Sequence, residues 1–230
     1  VPDNIDFFIS NNQTGLSKGL YKKANFSFQV GESRQIVQSN IDTLKVMLNL
    51  DNITFMNQTH SNVTLQVNNH DQLLNCDGVF TMNKNISCAV LTADCIPMLV
   101  TDKIGSFIGC IHIGWRGLKR NIIENFFKKL SRRKKTNFKV LIGPCIGFKN
   151  YEVSEEIFHY FKDFENRFSK NKSGNYNMDI RNIACDILSN LGITDVTIST
   201  SCTYTDDFYS YRRHKTTGRF ISLIWFKNDY

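Results

Sequence analysis

No run of apolar residues in this 230-residue chain approaches the roughly 20 needed to cross a bilayer, so no membrane-spanning helix is expected. The opening VPDNIDFFIS lacks the basic stretch and apolar segment of an export signal. Its seven cysteines, at 76, 88, 95, 110, 145, 185 and 202, are odd in number and scattered, which argues against a disulfide framework. A reducing, cytoplasmic setting is the expectation. With only three prolines and no Pro-rich or low-complexity linker, the chain offers no domain boundary, and residues 1–230 read as a single catalytic domain.

Nucleotide-cofactor signatures are also missing. Gly15-Leu16-Ser17-Lys18-Gly19 lacks the spacing of a P-loop, and no Gly-x-Gly-x-x-Gly follows a strand, so neither ATP nor NAD is indicated. Pro144-Cys145-Ile146-Gly147-Phe148 lacks the second cysteine of the zinc-deaminase pattern.

Present instead are 41% apolar residues, enough for a core, and a net charge of +7, which favours an anionic partner. The basic run Lys128 to Lys135 falls at a predicted helix end, where cations offset the macrodipole; it reads as a solvated terminus, and no nucleic acid is expected to bind. The segment FYSYRRHKTTGRF combines Arg212, Arg213, His214, Lys215 and Arg219 with Tyr209 and Tyr211, a mixture suited to phosphate and to a stacked base, or equally to an exposed loop with tyrosine packed beneath it.

Periodicity predicts helices in ESRQIVQSNIDTLKVMLNL, LKRNIIENFFKKL and DIRNIACDILSNLG, the last closed by Gly192. Strands are predicted in ITFMNQTHSNVTLQV, SCAVLTADCIPMLVTD, SFIGCIHIGW, FKVLIG, DVTISTSCTYT and FISLIWF, and one short strand within GLSKGLYKKANFSFQVGES. Helices interspersed with hairpin-linked strands predict an α+β (mixed α/β) fold, with mixed β-sheets flanked by helices. A two-residue turn at 103–104 would place Cys95 opposite His112. A helix starting near Gly117 would offer its N-terminus to an anion.

Cys95 and His112, with His60 from Gln58-Thr59-His60, supply a set of soft and imidazole donors suited to an open zinc site. The same residues also fit a cysteine nucleophile with His112 as base and Asp94 as orienter, or plain core packing. Spacing alone leaves the three readings open. Arg116, just past His112, has a positional claim on an anion.

In order, GLSKGLY, VGES, NQTH, CDGVFT, LTADCIPMLV, IHIGWRGL, IGPCIGFKNYEV and SCTYTDDFYSYRRHKTTGR resemble one family over nearly the whole chain: the YfiH-like proteins, long labelled multicopper polyphenol oxidoreductases or laccase-domain proteins and later recognised as purine nucleoside phosphorylases. The resemblance implies that His60, Cys95 and His112 hold zinc, with copper possible in some preparations. It implies phosphorolysis of adenosine, inosine, guanosine or methylthioadenosine to base and ribose 1-phosphate, and deamination of adenosine. By charge and position, Asp94 orients or shuttles protons beside Cys95, and either Arg116 or the pair Arg212 and Arg213 receives phosphate.

Relatives often carry Asn-Arg in the helix before the histidine motif, whereas here Asn40 precedes Ile41, so Arg34 or another group must take that arginine's place. A laccase-type copper oxidase is a rival, but five histidines, His70 and His159 among them, are few for a multicopper set. A cysteine hydrolase acting on peptidoglycan precursors is the second rival.

Overall fold

The computed structural model describes residues 1–11, 15–69 and 74–227. His70 therefore lies outside the described residues. In chain order the elements are β1 (Ile5–Ile9), α1 (Arg34–Leu48), β2 (Ile53–Thr54), β3 (Thr64–Gln66), β4 (Gly78–Thr81), β5 (Ser87–Thr92), β6 (Ile96–Asp102), β7 (Ile108–Ile113), α2 (Trp115–Lys119) and α3 (Ile122–Lys129). There follow β8 (Phe138–Ile142), β9 (Glu152–Val153), α4 (Glu155–His159), β10 (Phe168–Lys170), β11 (Tyr176–Met178), α5 (Ile180–Asn190), β12 (Val196–Ile198) and β13 (Phe220–Phe226). Among the described residues no helix is long and apolar enough to cross a membrane.

The strands form a mixed sheet ordered β12-β8-β6-β7-β4-β3, a second ordered β1-β13-β5-β2, and a small antiparallel one ordered β10-β11-β9. Alternate side chains of β6 and β7 face opposite ways. Ile96, Met98, Val100, Ile111 and Ile113 pack on Phe126 of α3 and Ile183 of α5, while Leu99, Ile108 and Cys110 meet Cys88, Val90 and Ile224 of the second sheet. On that sheet's far side Ala89, Ile221 and Leu223 bury the apolar face of α1, Val37, Ile41 and Leu44. Helix, two sheets and helices thus stack in layers, which is why β6 and β7 are buried along their whole lengths.

The predicted run SCAVLTADCIPMLVTD is two strands, β5 and β6, in different sheets. Between them the chain bends through Ala93-Asp94-Cys95, with Asp94 at φ 96°. Likewise LKRNIIENFFKKL is not one helix. Asn121, left-handed at φ 61°, ends α2 and redirects α3 so that Ile122, Ile123, Phe126 and Phe127 are all buried. The expected short strand within GLSKGLYKKANFSFQVGES is only a 3-10 turn, Gly19–Tyr21, beside a lone bridge between Ser17 and Lys23.

The β6–β7 register also differs from the expectation. Pro97, not Cys95, lies opposite His112, because the connection from Asp102 to Phe107 is longer than a two-residue turn. The slip is two residues, and strand side chains alternate with period two, so Cys95 stays on the face that His112 occupies.

Candidate metal centre

His60, Cys95 and His112 converge from three separate places: the loop between β2 and β3, the β5–β6 bend, and the end of β7. Their donor atoms lie within 4.8 Å of one another, and Cys95 Sγ is 3.9 Å from His60 Nε2. The two imidazoles meet edge to face with centroids 4.7 Å apart. Gly114 makes room for the group, since a Cβ there would sit 2.9 Å from Cys95 Sγ and 3.1 Å from His60 Cδ2.

Asp77, fully buried between β3 and β4, organises two of the three. Its Oδ1 accepts from the His60 N–H at 3.0 Å and faces His112 Nδ1 at 2.7 Å. Its Oδ2 accepts from the N–H groups of Thr59 at 3.2 Å and Ser61 at 2.6 Å, and from the Ser61 hydroxyl at 2.6 Å. Three successive amides wrap one carboxylate, which holds His60 in its left-handed conformation, φ 57°. Burial pushes the Asp77 carboxyl up, but the bonds from His112 and Ser61 outweigh it and hold it down to about 2. Gln58 fixes the same loop to β5 by donating to Leu91 O at 2.7 Å and accepting from Leu91 N–H at 2.9 Å.

Asp77 is the residue that the sequence reading missed. The motif Cys76-Asp77-Gly78 stood in plain view, but nothing in it says which distant backbone the carboxylate will meet.

Burial raises the Cys95 thiol, yet His112 by charge and hydrogen bond, and then His60, bring it down to about 6. Burial lowers His112, and the neighbouring Cys95 together with Asp77 raise it to about 9. Two imidazoles and a ready thiolate, with His112 Nδ1 already engaged and its Nε2 left over, form the donor set of a three-ligand zinc site with an open position. The chain's residues fit the ion.

The group opens into a cavity of about 980 Å³, within the range of small-molecule sites. Aromatic faces from Phe28, Trp115, Tyr151 and Tyr211 share its wall with Arg34, Arg116, Arg212, Lys215 and Arg219, against the single carboxylate of Asp94. Arg116 is exposed and stacks on Trp115 at 4.3 Å, and Arg34 lies over Phe28 at 4.9 Å. Ile41, at the position where relatives often carry arginine, is instead buried under the second sheet.

Asp94 spends both oxygens on structure. Oδ1 accepts from Thr203 Oγ1 at 2.7 Å and Oδ2 from the Arg212 N–H at 2.6 Å. The Arg212 guanidinium reaches the carbonyls of Asn150 at 3.2 Å and Glu152 at 2.9 Å, and lies over Tyr151 at 5.3 Å. Arg213 turns away from the cavity wall: its guanidinium donates to the carbonyls of Thr203, Tyr204, Asp206 and Phe208 and closes their loop. The structure thus separates the two neighbouring arginines, and places Arg219 and Lys215 of the same basic segment on the wall. The short α2 starts at Trp115, two residues before Gly117.

Residues 6–227 match the family model described as multi-copper polyphenol oxidoreductase laccase. The chain is 33% identical to a Haemophilus influenzae protein named purine nucleoside phosphorylase, over 99% of this chain and 96% of the relative. It is 30% identical to the Escherichia coli purine nucleoside phosphorylase YfiH, over 92% and 89%. A crystal structure from Neisseria meningitidis, 29% identical, superposes with a TM-score of 0.92 over 99% of this chain and 96% of that one. A Bacillus licheniformis YfiH structure, 24% identical, has the same fold, with a TM-score of 0.90 over 97% and 93%.

Proposed function

The chain belongs to the multi-copper polyphenol oxidoreductase laccase family, several of whose relatives are named purine nucleoside phosphorylases, and from that membership we propose that it is a zinc-dependent purine nucleoside phosphorylase acting in the cytoplasm. Adenosine, inosine, guanosine and methylthioadenosine are its proposed substrates, with phosphate, and adenosine deamination is a second activity of the same centre. The whole chain acts as one catalytic domain.

One observation carries this reading: a His60–Cys95–His112 donor set opens into a cavity lined by both aromatic faces and cations. Zinc, when bound, supplies Lewis acidity and brings the pKa of the water it holds down to about 7. Trp115, Tyr151 and Tyr211 offer flat surfaces for a purine. Arg116, Arg34, Lys215 and Arg219 seat phosphate and counter the negative charge that passes to the departing base. Arg212, through its tie to Asp94, holds the C-terminal loop against the metal-bearing bend. Asp94 is in this reading an orienting group.

The test is to incubate zinc-loaded protein with adenosine, with and without phosphate, and to resolve adenine, ribose 1-phosphate and inosine. Phosphate-dependent adenine supports the phosphorylase. Absence of product in both arms with zinc bound overturns it, and a Cys95→Ala variant with full zinc and full activity overturns the ligand assignment.

A second reading is favoured by one feature: Asp77, His112 and Cys95 stand in the order orienter, base and nucleophile of a cysteine hydrolase. Chelation separates the two, because a hydrolase keeps its activity when stripped of metal. A copper oxidase would also use two histidines and a cysteine. Among the described residues only this one group of three could hold a metal, so an oxidase's additional copper cluster has no candidate there.

A further inference from the structure

Cys145 and Cys202 lie outside the metal centre. Cys145 follows β8 and Cys202 follows β12, and the two form an isolated parallel bridge, the Thr203 N–H donating to Cys145 O at 3.1 Å. Partners bridged in this way direct their side chains to one face, with their backbones about 4.8 Å apart. Disulfide-linked residues have Cα atoms roughly 4.4 to 6.8 Å apart, so the backbone already stands at bonding distance. Both thiols are free.

They are chemically unequal. Cys202 is half-buried, and its Sγ accepts from the Gly147 N–H at 3.1 Å and Asn150 Nδ2 at 3.5 Å. Burial raises this thiol, but backbone donors at Gly147, Thr205 and Tyr204 outweigh it and hold it below the usual cysteine range. Cys145 is fully buried, and burial pushes it up to about 11, partly offset by Arg181, whose Nε is 3.4 Å from its Sγ. One thiol is placed to attack and the other to resolve.

We propose that Cys145 and Cys202 form a peroxide-responsive dithiol whose closure to a disulfide reshapes the cavity wall. The Cys202 thiolate attacks one oxygen of hydrogen peroxide: an S–O bond forms, the O–O bond breaks, and hydroxide leaves. Cys202 becomes a sulfenic acid, oxidised by two electrons as the peroxide is reduced. The Cys145 sulfur then attacks the sulfenic sulfur; the S–S bond forms, the S–O bond breaks, and the Cys145 proton leaves with the hydroxyl as water. Overall, two thiols and one peroxide give one disulfide and two waters. A thiol reductant reverses the change.

Closure moves groups that hold the cavity. It takes Cys202 Sγ from Gly147 and Asn150, and Asn150 O anchors the Arg212 guanidinium. The flanking residues Ile146 and Thr203 both bind Asp94, at 2.9 Å to its carbonyl and 2.7 Å to its carboxylate. The metal ligands themselves are untouched.

The experiment treats zinc-loaded full-length protein with a stoichiometric amount of hydrogen peroxide, alkylates the remaining thiols and maps the digest by mass spectrometry, a readout independent of the proposed reaction. A dithiothreitol-reversible cross-link between the peptides of Cys145 and Cys202 is expected. In Cys145→Ser, the sulfenic acid should persist at Cys202 and react with dimedone. Cys202 left alkylatable after peroxide, or linked to Cys185, overturns the proposal. Turnover should fall on oxidation, with zinc content unchanged, and return on reduction, while Cys202→Ser keeps its turnover and loses the response. A loss of turnover that persists in Cys202→Ser assigns the inhibition to another thiol and overturns the coupling to the cavity.

Discussion

Asp77 Oδ1 stands 2.7 Å from Nδ1 of His112, and the same carboxylate gathers the backbone of Thr59, His60 and Ser61. One buried side chain therefore orients the ring of one candidate metal ligand and sets the backbone conformation of another. Neither histidine is adjacent to it in sequence.

Asp77→Asn puts an amide NH₂ against donors on one side or the other. Zinc affinity should fall roughly 10- to 100-fold, the usual effect of losing a carboxylate behind a metal-bound histidine. Ser61→Ala removes one Oδ2 donor but leaves the His112 contact, and should cost much less. Competition against a chromophoric chelator measures both, and equal losses would refute the role of the His112 contact.

Metal affinity should rise with pH. Without metal, the Cys95–His112 pair holds a thiolate beside an imidazolium between about 6 and about 9. The ion takes the place of the His112 proton, so affinity climbs about tenfold per pH unit in that window and more steeply below it. Above about 9 the dependence from this pair levels off. In the metal-free fold the two groups act with opposite signs: the His112 contribution is lost as pH rises through about 9, and the Cys95 contribution as pH falls through about 6. Proton release during calorimetric titration in buffers of different ionisation enthalpy checks the stoichiometry; zero release at pH 7.5 contradicts the ion pair.

Gly114→Ala should damage the metal centre more than the fold. The added methyl meets Cys95 Sγ at 2.9 Å and His60 Cδ2 at 3.1 Å, both side chains of the candidate metal centre. Zinc content after dialysis should drop while thermal unfolding of the metal-free protein shifts little. Retention of stoichiometric zinc would mean that the ligands can relax around the methyl.

Arg116 and Arg213 should separate function from stability. Arg116→Ala should raise the KM for phosphate, with Tm nearly unchanged because the side chain is exposed. Arg213→Ala strips a cation from four carbonyls and should cost about 1.5 to 3 kcal/mol in denaturant unfolding. Its KM for phosphate should hold. The reverse pattern would restore Arg213 as a phosphate ligand.

Helical periodicity located α1 and α5, since Ile41 and Leu44, like Ile180, Ile183 and Ile187, recur on one face whatever lies opposite, although the buried residue in the first turn of α1 is Val37 and not the neighbouring Ile36 that the spacing suggests. It could not locate the break at Asn121, because the apolar spacing of LKRNIIENFFKKL continues across it. Pattern also could not divide SCAVLTADCIPMLVTD between two sheets, since both strands are apolar and only their partners differ.

The ordered motifs determined the candidate ligands His60, Cys95 and His112, because donor chemistry belongs to the residue type and travels with the sequence. The hairpin brought Cys95 near His112 despite the different register, whereas the loop that carries His60 to them shows only in the structure. What only the tertiary structure decided is the support: Asp77 behind His112, Arg213 turned into its own loop, Arg34 at the wall, and Cys145 beside Cys202. Those relationships join residues far apart in the chain, and a carboxylate, guanidinium or thiol carries no local sign of the partner that packing brings to it.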